Sequence, residues 1–250
     1  GSSILHFAIL GGSDCCFRLC LRHKGILRDI NNWGSNSFHI LALSSYVEFV
    51  EPLYGEIQDL ITNKNREGNT ALMVALKNNN VPMAMKLLGI SPQLATIKDS
   101  ELVTPLELAV KKNLPLVVSA LISAGASARQ ADHMGVPLIF DPLYKGNKNL
   151  AEFLVNAGAT SHALDPFHST ALFTAIIRGS MEGIELCLDY NIDPFAVNID
   201  KWTPMHALAF IRSQWKRSAV QQRDLIPDVT QALIAQESCV RRFLCEANVL

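Results

Sequence analysis

Three residues near the start of the chain have the types and the spacing of metal ligands. Cys16, Cys20 and His23 stand at i, i+4 and i+7, so a helix would place them on one face. Thiolate and imidazole are ligands that zinc accepts. No fourth ligand follows nearby, and free cysteine otherwise behaves as a small hydrophobic side chain. We therefore expect Cys16 and Cys20 to occupy buried positions of a helix and to bind no metal.

Other chemical signatures are missing from the sequence. Six cysteines and seven histidines would allow a Cys–His nucleophile, but no family signature surrounds any of them. The sequence has no Gly-rich phosphate loop, no His-Glu-x-x-His and no paired carboxylates in a recognisable setting. We predict that this chain is not an enzyme and needs no cofactor, with the full-length protein left open.

The composition restricts the class of partner. Of the 250 residues, 49% are hydrophobic and 18% are charged, and 22 basic residues balance 23 acidic ones. A net charge of -1 gives no global field for nucleic acid. The longest uncharged stretches are broken by Asn, Ser, Pro and Gly, so we expect no insertion into a membrane. The few cysteines favour a reducing, cytoplasmic location.

The elements that position all these residues repeat along the chain. A related tetrapeptide recurs at spacings of 33, 34, 34, 32, 34 and 33 residues. The seven copies begin at Ser3, Asn36, Thr70, Thr104, Val136, Thr170 and Thr203. Where the copy begins with Thr, its hydroxyl can cap a helix, and a following Pro suits the first helical position. An Ala two positions after the tetrapeptide, as at Ala75 and Ala109, lets helices approach closely.

These motifs resemble the ankyrin repeat family. The similarity is strongest in the fourth copy, which reads Thr104-Pro-Leu-Glu-Leu-Ala109 and ends in Leu121-Ile122 and Gly125-Ala126. The resemblance implies an all-α solenoid of about seven helix-turn-helix repeats with short turns or hairpins. It places repeats near 1–30, 31–64, 65–98, 99–131, 132–164, 165–197 and 198–236, and a C-terminal capping helix at 237–250.

Some copies depart from the pattern. The second helix of the second copy cannot be placed to better than about four residues. In the fifth copy, Asp141-Pro142 stands in the middle of the first helix and predicts a short or broken helix. The sixth and seventh copies have His168 and Lys201 where the turn Gly is expected. In the seventh, the extra residues after Ala209 predict an extended first helix or a long helical insertion.

The resemblance also implies a binding surface. In this family the turn tips and the exposed face of the first helices contact the partner, whereas His6, His39 and His206 occupy a position at which histidine bridges neighbouring turns. Trp and Arg at solvated tips have the composition of binding hot spots, although packing on neighbouring turns would also explain the tryptophans. The predicted partner-binding residues are Trp33, Arg66, Glu67, Glu101, Lys111, Lys112, His133, Tyr144, Phe167, Arg178, Asp200 and Trp202.

We expect a monomeric, non-catalytic module that binds a protein partner through a rigid concave surface. The alternative is the targeting domain of a larger enzyme or of a secreted bacterial effector, which would act in the host cytosol. The chain begins with Gly1-Ser2 instead of Met, so we expect that it is a fragment and that native targeting signals lie outside it. A metal-assisted activity at Cys16, Cys20 and His23 is a third hypothesis.

Overall fold

The structure, a computed structural model, describes residues 1–210 and consists of helices joined by short turns. Residues 1–210 form no β-strand, and a single isolated bridge joins Ala131 and Pro137. The α-helices are α1 (Ile4–Leu10), α2 (Asp14–Arg22), α3 (Ser37–Leu43), α4 (Val50–Ile57), α5 (Ala71–Lys77), α6 (Val81–Ile90), α7 (Pro105–Lys111), α8 (Pro115–Ser123), α9 (Phe140–Tyr144), α10 (Lys148–Asn156), α11 (Ala171–Arg178) and α12 (Met181–Asp189). Residues 204–210 are also helical. The predicted capping helix at 237–250 and the insertion after Ala209 lie outside the described residues.

The chain divides into two compact units, Gly1–Ser127 and Ala128–Leu250. In the N-terminal unit, α3 packs between α1 and α5, and α5 also packs on α7. α1, α5 and α7 also pack on the helices that follow them, α2, α6 and α8, so the unit is a stack of helix pairs. In the C-terminal unit, α9, α11 and α12 pack on one another and α10 packs on α9.

The helices begin where the sequence predicts them. The hydroxyls of Thr70, Thr104 and Thr170 accept hydrogen bonds from the backbone of the third helical residue, so each caps a first helix. Pro105 follows at the first helical position, where its missing N–H leaves no partner unsatisfied. These caps confirm the interpretation of the repeated tetrapeptide as a helix start.

The alanines that recur at the same position of the repeat are buried within each unit, as the sequence predicts. Ala75, Ala109 and Ala175 are completely buried, so the first helices approach their neighbours closely. The irregular fifth copy forms a short helix, as Pro142 predicts. This helix, α9, has only 5 residues and begins without a side-chain cap. Its buried residues are Phe140, Pro142 and Leu143, so apolar packing compensates for the missing turns.

A side-chain clasp closes each hairpin tip between helix pairs. One Asn or Asp oxygen accepts the backbone N–H groups two and four residues later, at distances of 2.7 to 3.0 Å. The clasp residues are Asn31, Asn65, Asp99, Asp132, Asp165 and Asn198. Asn and Asp favour such turns because their short side chains reach their own backbone. The sequence interpretation missed these residues, although they recur every 33 or 34 positions.

The tip residue three positions after the clasp is left-handed in all six hairpins. It is Gly34, Gly68 and Gly135 in three of them and Leu102, His168 and Lys201 in the others. His168 and Lys201 therefore take the backbone conformation of the turn glycine that they replace. Leu102 has φ 65° and an exposed side chain, so a branched residue occupies a conformation that costs it about 1 kcal/mol.

We expect Leu102→Gly to stabilise the protein by about 0.5 kcal/mol, because relief of the left-handed strain exceeds the chain entropy that glycine adds to the unfolded state. Urea unfolding followed by circular dichroism measures the change. The control is Leu102→Ala, which removes the exposed side chain and keeps the strain. An equal gain in both variants would show that strain at this φ is not the cause.

His39 bridges two tips as predicted for this histidine position. Its Nε2–H donates to the carbonyl of Asn69 at 2.9 Å, and its Nδ1 accepts the N–H of Asn36 at 3.3 Å. Burial lowers the pKa of the His39 imidazole below its usual value, against the opposing effect of the Asn69 carbonyl. Burial therefore favours the neutral ring of His39 in the folded protein.

Stability should fall as the pH decreases through the ordinary histidine range. The unfolded chain takes up a proton at the ordinary pKa, whereas folded His39 resists it, so its contribution is present above about pH 6.5 and is lost below. We expect His39→Gln to cost about 1–2 kcal/mol at neutral pH and to weaken the pH dependence between about pH 7.5 and pH 5. Part of the dependence should survive, since burial also lowers the pKa of His6. Urea midpoints at both pH values provide the measurement, and an unchanged slope would contradict the assignment.

The expectation that Cys16 and Cys20 are both buried is wrong for Cys16. Both lie in α2, where Cys20 is 4% exposed but Cys16 is exposed to solvent. No helix pair covers the Cys16 side of α2 among the described residues. His23 ends α2 in a non-helical conformation, so the regular i, i+4, i+7 face does not continue to it.

Candidate functional site

An open groove of about 760 Å³ lies in the C-terminal unit, between two hairpin tips and beside α11. The tips span residues 165–169 and 198–202, and α11 supplies the side between them. The residues that line the groove are Asp165, Phe167, Ser169, Phe173, Thr174, Ile177, Arg178, Asn198, Asp200, Trp202 and Phe210. Four of them, Phe167, Arg178, Asp200 and Trp202, are among the partner-binding residues predicted from the sequence.

The two tips are held in place by backbone contacts. Asp165 and Asn198 each close their own hairpin with the side-chain clasp. The backbone N–H of Ile199 also donates to the carbonyl of Phe167 at 3.0 Å, which joins one tip to the next. Phe167 and Trp202 are therefore presented from a backbone that is fixed on both sides.

The groove is apolar and open to solvent. Phe167 is 60% exposed, Ile177 is 53% exposed and Phe210 is 47% exposed. The Trp202 indole meets the Phe210 ring edge to face, with 5.5 Å between centroids, and still remains 37% exposed. The Trp202 side chain therefore packs on Phe210 and also keeps part of its surface in solvent. Large aromatic groups in water lose little conformational entropy when a partner covers them, which favours binding.

Besides Asp165, which closes its own hairpin, the charged residues Arg178 and Asp200 line this groove. The Arg178 guanidinium stands 4.4 Å from the centroid of the Tyr144 ring, a cation–π contact that orients it. The Tyr144 hydroxyl donates to Asp141 at 2.7 Å. Burial, together with this hydrogen bond, raises the pKa of the Tyr144 phenol to about 12, so the ring beneath Arg178 stays neutral. Asp200 is exposed on the opposite tip.

The other predicted residues lie elsewhere. Trp33, Arg66, Glu67 and Glu101 are exposed at tips of the N-terminal unit. Trp33 is 67% exposed, and its carbonyl accepts the N–H of Arg66 at 2.9 Å. His133 is exposed at the first tip of the C-terminal unit, outside the groove.

Two predicted lysines have partners within the protein. The Lys111 ammonium lies 2.8 Å from the carboxylate of Glu107, whose side chain is only 1% exposed. The Lys112 ammonium donates to the backbone carbonyl of Lys77 at 3.2 Å. These contacts support the fold and leave the two lysines less free to contact a partner than the tip residues.

The sequence interpretation missed two residues that form the groove. Phe173 and Ile177 stand at i and i+4 on α11, and this spacing was the available signal. Ala175 and Ile176, which lie between them, are buried in the core, so the pair resembles additional core residues. In the structure Ile177 is exposed and Phe173 is half-buried.

Comparison with known proteins identifies the repeat. The model of the family described as ankyrin repeats (3 copies) matches residues 38–132. Chicken (Gallus gallus) nuclear factor NF-kappa-B p105 subunit is 28% identical over 149 residues, which cover 58% of this chain and 14% of that protein. Mouse (Mus musculus) B-cell lymphoma 3 protein homolog is 29% identical over 156 residues, covering 59% of this chain and 34% of that protein.

A solved structure shows the same fold. The ankyrin repeat domain of Bcl-3, described as a member of the IkappaB protein family, superposes with a TM-score of 0.68 at 19% identity. The match covers 85% of this chain and 99% of that domain. The fold of the described residues is therefore that of an ankyrin repeat domain. The chain spans between about a seventh and a third of the length of the curated relatives.

Ankyrin repeats generally mediate contacts between proteins. An exposed apolar groove agrees with such a role. Within residues 1–210, no helix combines the length and the apolar character needed to cross a membrane.

Proposed function

We propose that this chain is a non-catalytic module that binds a protein partner through the groove beside α11. The observation that carries the proposal is the set of exposed apolar side chains, Phe167, Ile177, Trp202 and Phe210, which line one concave opening. Exposed aromatic groups concentrated at one place are the composition of a binding hot spot.

The rigidity of the tips supports the same function. The clasps at Asp165 and Asn198 and the backbone bond from Ile199 to Phe167 fix the groove before a partner arrives. A preorganised surface loses little conformational entropy on association, so more of the contact free energy remains as affinity.

The charges define which segment fits. An apolar side chain of the partner would insert between Phe173, Ile177 and Trp202. A carboxylate on one side of it would meet Arg178, and a basic group on the other side would meet Asp200. Because the Tyr144 ring already orients the guanidinium, Arg178 is ready for a two-point contact with a carboxylate.

We propose that the exposed tip residues of the N-terminal unit, Trp33, Arg66, Glu67 and Glu101, also contact a protein partner. His133 would add a contact from its own tip. Lys111 and Lys112 would contribute charge near a partner, with their internal contacts retained.

The rest of the proposal concerns the setting. We propose a monomer without cofactor that acts in the reducing cytoplasm and binds no nucleic acid. The alternative role is that of a targeting domain in a larger enzyme or in a secreted effector, where the same groove would dock a substrate or a host protein.

Affinity capture with matched variants tests the function. The immobilised protein, a Phe167→Ala/Trp202→Ala variant and a Phe195→Ala control are exposed to the same cell lysate. Phe195 is 46% exposed but does not line the groove. We expect a protein that is retained by the parent and by the Phe195 control but is lost from the groove variant. If all three retain the same proteins, the groove is not the binding site.

A further inference from the structure

The first helix pair of the N-terminal unit has an outer face that is apolar and uncovered. It is formed by Ile4 and Phe7 of α1 and by Cys16 of α2, and we call it the outer face of the first repeat. Ile4 is 72% exposed and Phe7 is 64% exposed. Large apolar side chains that lie together and are exposed to solvent often mark a surface that another protein segment covers.

The position of Ile4 is buried in the following repeats. The residue after the helix cap is Ile4 in α1, and its counterparts Ser37, Ala71 and Pro105 are all buried. Ser37 and Ala71 have no exposed surface at all. The only systematic difference is that, among the described residues, a helix pair precedes each of these three and none precedes Ile4.

The second helices give the same result independently. Cys16 is the third residue of α2, and its counterparts are Met83 in α6 and Val117 in α8. Met83 and Val117 are completely buried, whereas Cys16 is exposed. Cys15 provides the internal comparison, because its counterparts Pro82 and Leu116 are exposed just as it is.

We propose that the outer face of the first repeat is a repeat–repeat interface, and that its occupant is one further ankyrin helix pair, stacked on α1 and α2 as they stack on the second repeat. The face continues the interface that α1, α3, α5 and α7 already share, with the same positions and the same apolar chemistry. A helix pair of this kind buries its own apolar face only against neighbours, so both partners gain from the contact.

The proposal is tested with a chain that carries a copy of its own third repeat at the N-terminus, fused so that the repeat register is kept. Residues 65–101 are fused directly before Gly1, which then takes the tip position that Gly68 holds in the third repeat. The parent chain and an extension of scrambled sequence are the controls. Iodoacetamide labelling, read by peptide mass spectrometry, reports Cys16 in a Cys15→Ser background and Cys15 in a Cys16→Ser background.

We expect the extension to slow the labelling of Cys16 by at least about tenfold and that of Cys15 by less than about twofold, because only Cys16 lies at a repeat interface. Equal rates with and without the extension, or equal slowing of both thiols, would overturn the proposal. A parent chain that sediments as a dimer with Cys16 already protected would overturn it too, because the occupant would then be a second copy.

A second variant decides the matter without labelling. Ile4→Asp is expected to change the Tm of the parent chain by less than about 2 °C, because Ile4 is exposed there, and to lower the Tm of the extended chain by about 8 °C, since the charge becomes buried. If the added repeat does not stack on this face, Ile4→Asp has the same small effect in both chains and the proposal fails.

Discussion

Gly183→Ala is expected to lower the free energy of unfolding by about 3 kcal/mol, more than a typical overpacked core position. A Cβ atom at this buried glycine of α12 would lie 2.1 Å from the carbonyl oxygen of Tyr144 and 2.6 Å from its carbonyl carbon. Both are backbone atoms, so no side chain can rotate away, and α12 would have to separate from α9. Urea unfolding followed by circular dichroism measures the loss.

The matched control is Gly55→Ala in α4. Nothing lies within 4 Å of a Cβ atom at Gly55, and its helical backbone suits alanine. This variant should therefore gain about 0.5–1 kcal/mol from helix propensity. If Gly183→Ala is as stable as the parent protein, the close approach of α12 to α9 is wrong.

The same substitution bears on the groove. The carbonyl that Gly183 accommodates belongs to Tyr144, and the ring of Tyr144 orients Arg178. Any Gly183→Ala protein that still folds should hold Arg178 less firmly. The packing of Gly183 in α12 is in this way linked to Arg178, which we propose contacts the partner.

Phe167→Ala and Trp202→Ala together are expected to weaken partner binding by at least about 100-fold. Both side chains are exposed and presented by clasped tips, so the protein already carries the cost of keeping them in water. Truncation removes the contact area and, in the case of Trp202, also the edge-to-face packing on Phe210. Isothermal titration with the captured protein measures the dissociation constant.

The corresponding control is Phe195→Ala, which removes an exposed ring from the same unit but not from the groove. Its dissociation constant should remain within about twofold of the parent value, as for surface positions outside an interface. An equal loss in both proteins would mean that general surface hydrophobicity, and not the groove, determines the affinity.

The repeat pattern was sufficient to predict the helix starts and the close helix contacts. Caps such as Thr70 and Thr170 act within one turn of chain, and small residues such as Ala75 have one suitable environment, so local sequence determines both. The short α9 followed in the same way from Pro142, because proline acts on the helix in which it stands.

Features that depend on neighbouring repeats were harder to predict. Cys16 has the pattern of a buried residue, but burial needs a second surface to cover it. Leu102 stands in the copy closest to the family pattern, yet it takes the left-handed conformation expected of glycine because the hairpin clasp of Asp99 imposes it. Phe173 and Ile177 resemble core residues in the sequence. In the structure they line the open groove between the two tips.

Photo-crosslinking from inside the groove tests the central claim most directly. A benzoylphenylalanine at position 177, on the exposed side of α11, is irradiated in the presence of the captured partner, and the same group at position 195 is the control. If the groove binds the partner, position 177 gives a covalent adduct and position 195 gives little. Adducts from position 195 alone, with none from position 177, would contradict the assignment of the groove as the protein-binding site.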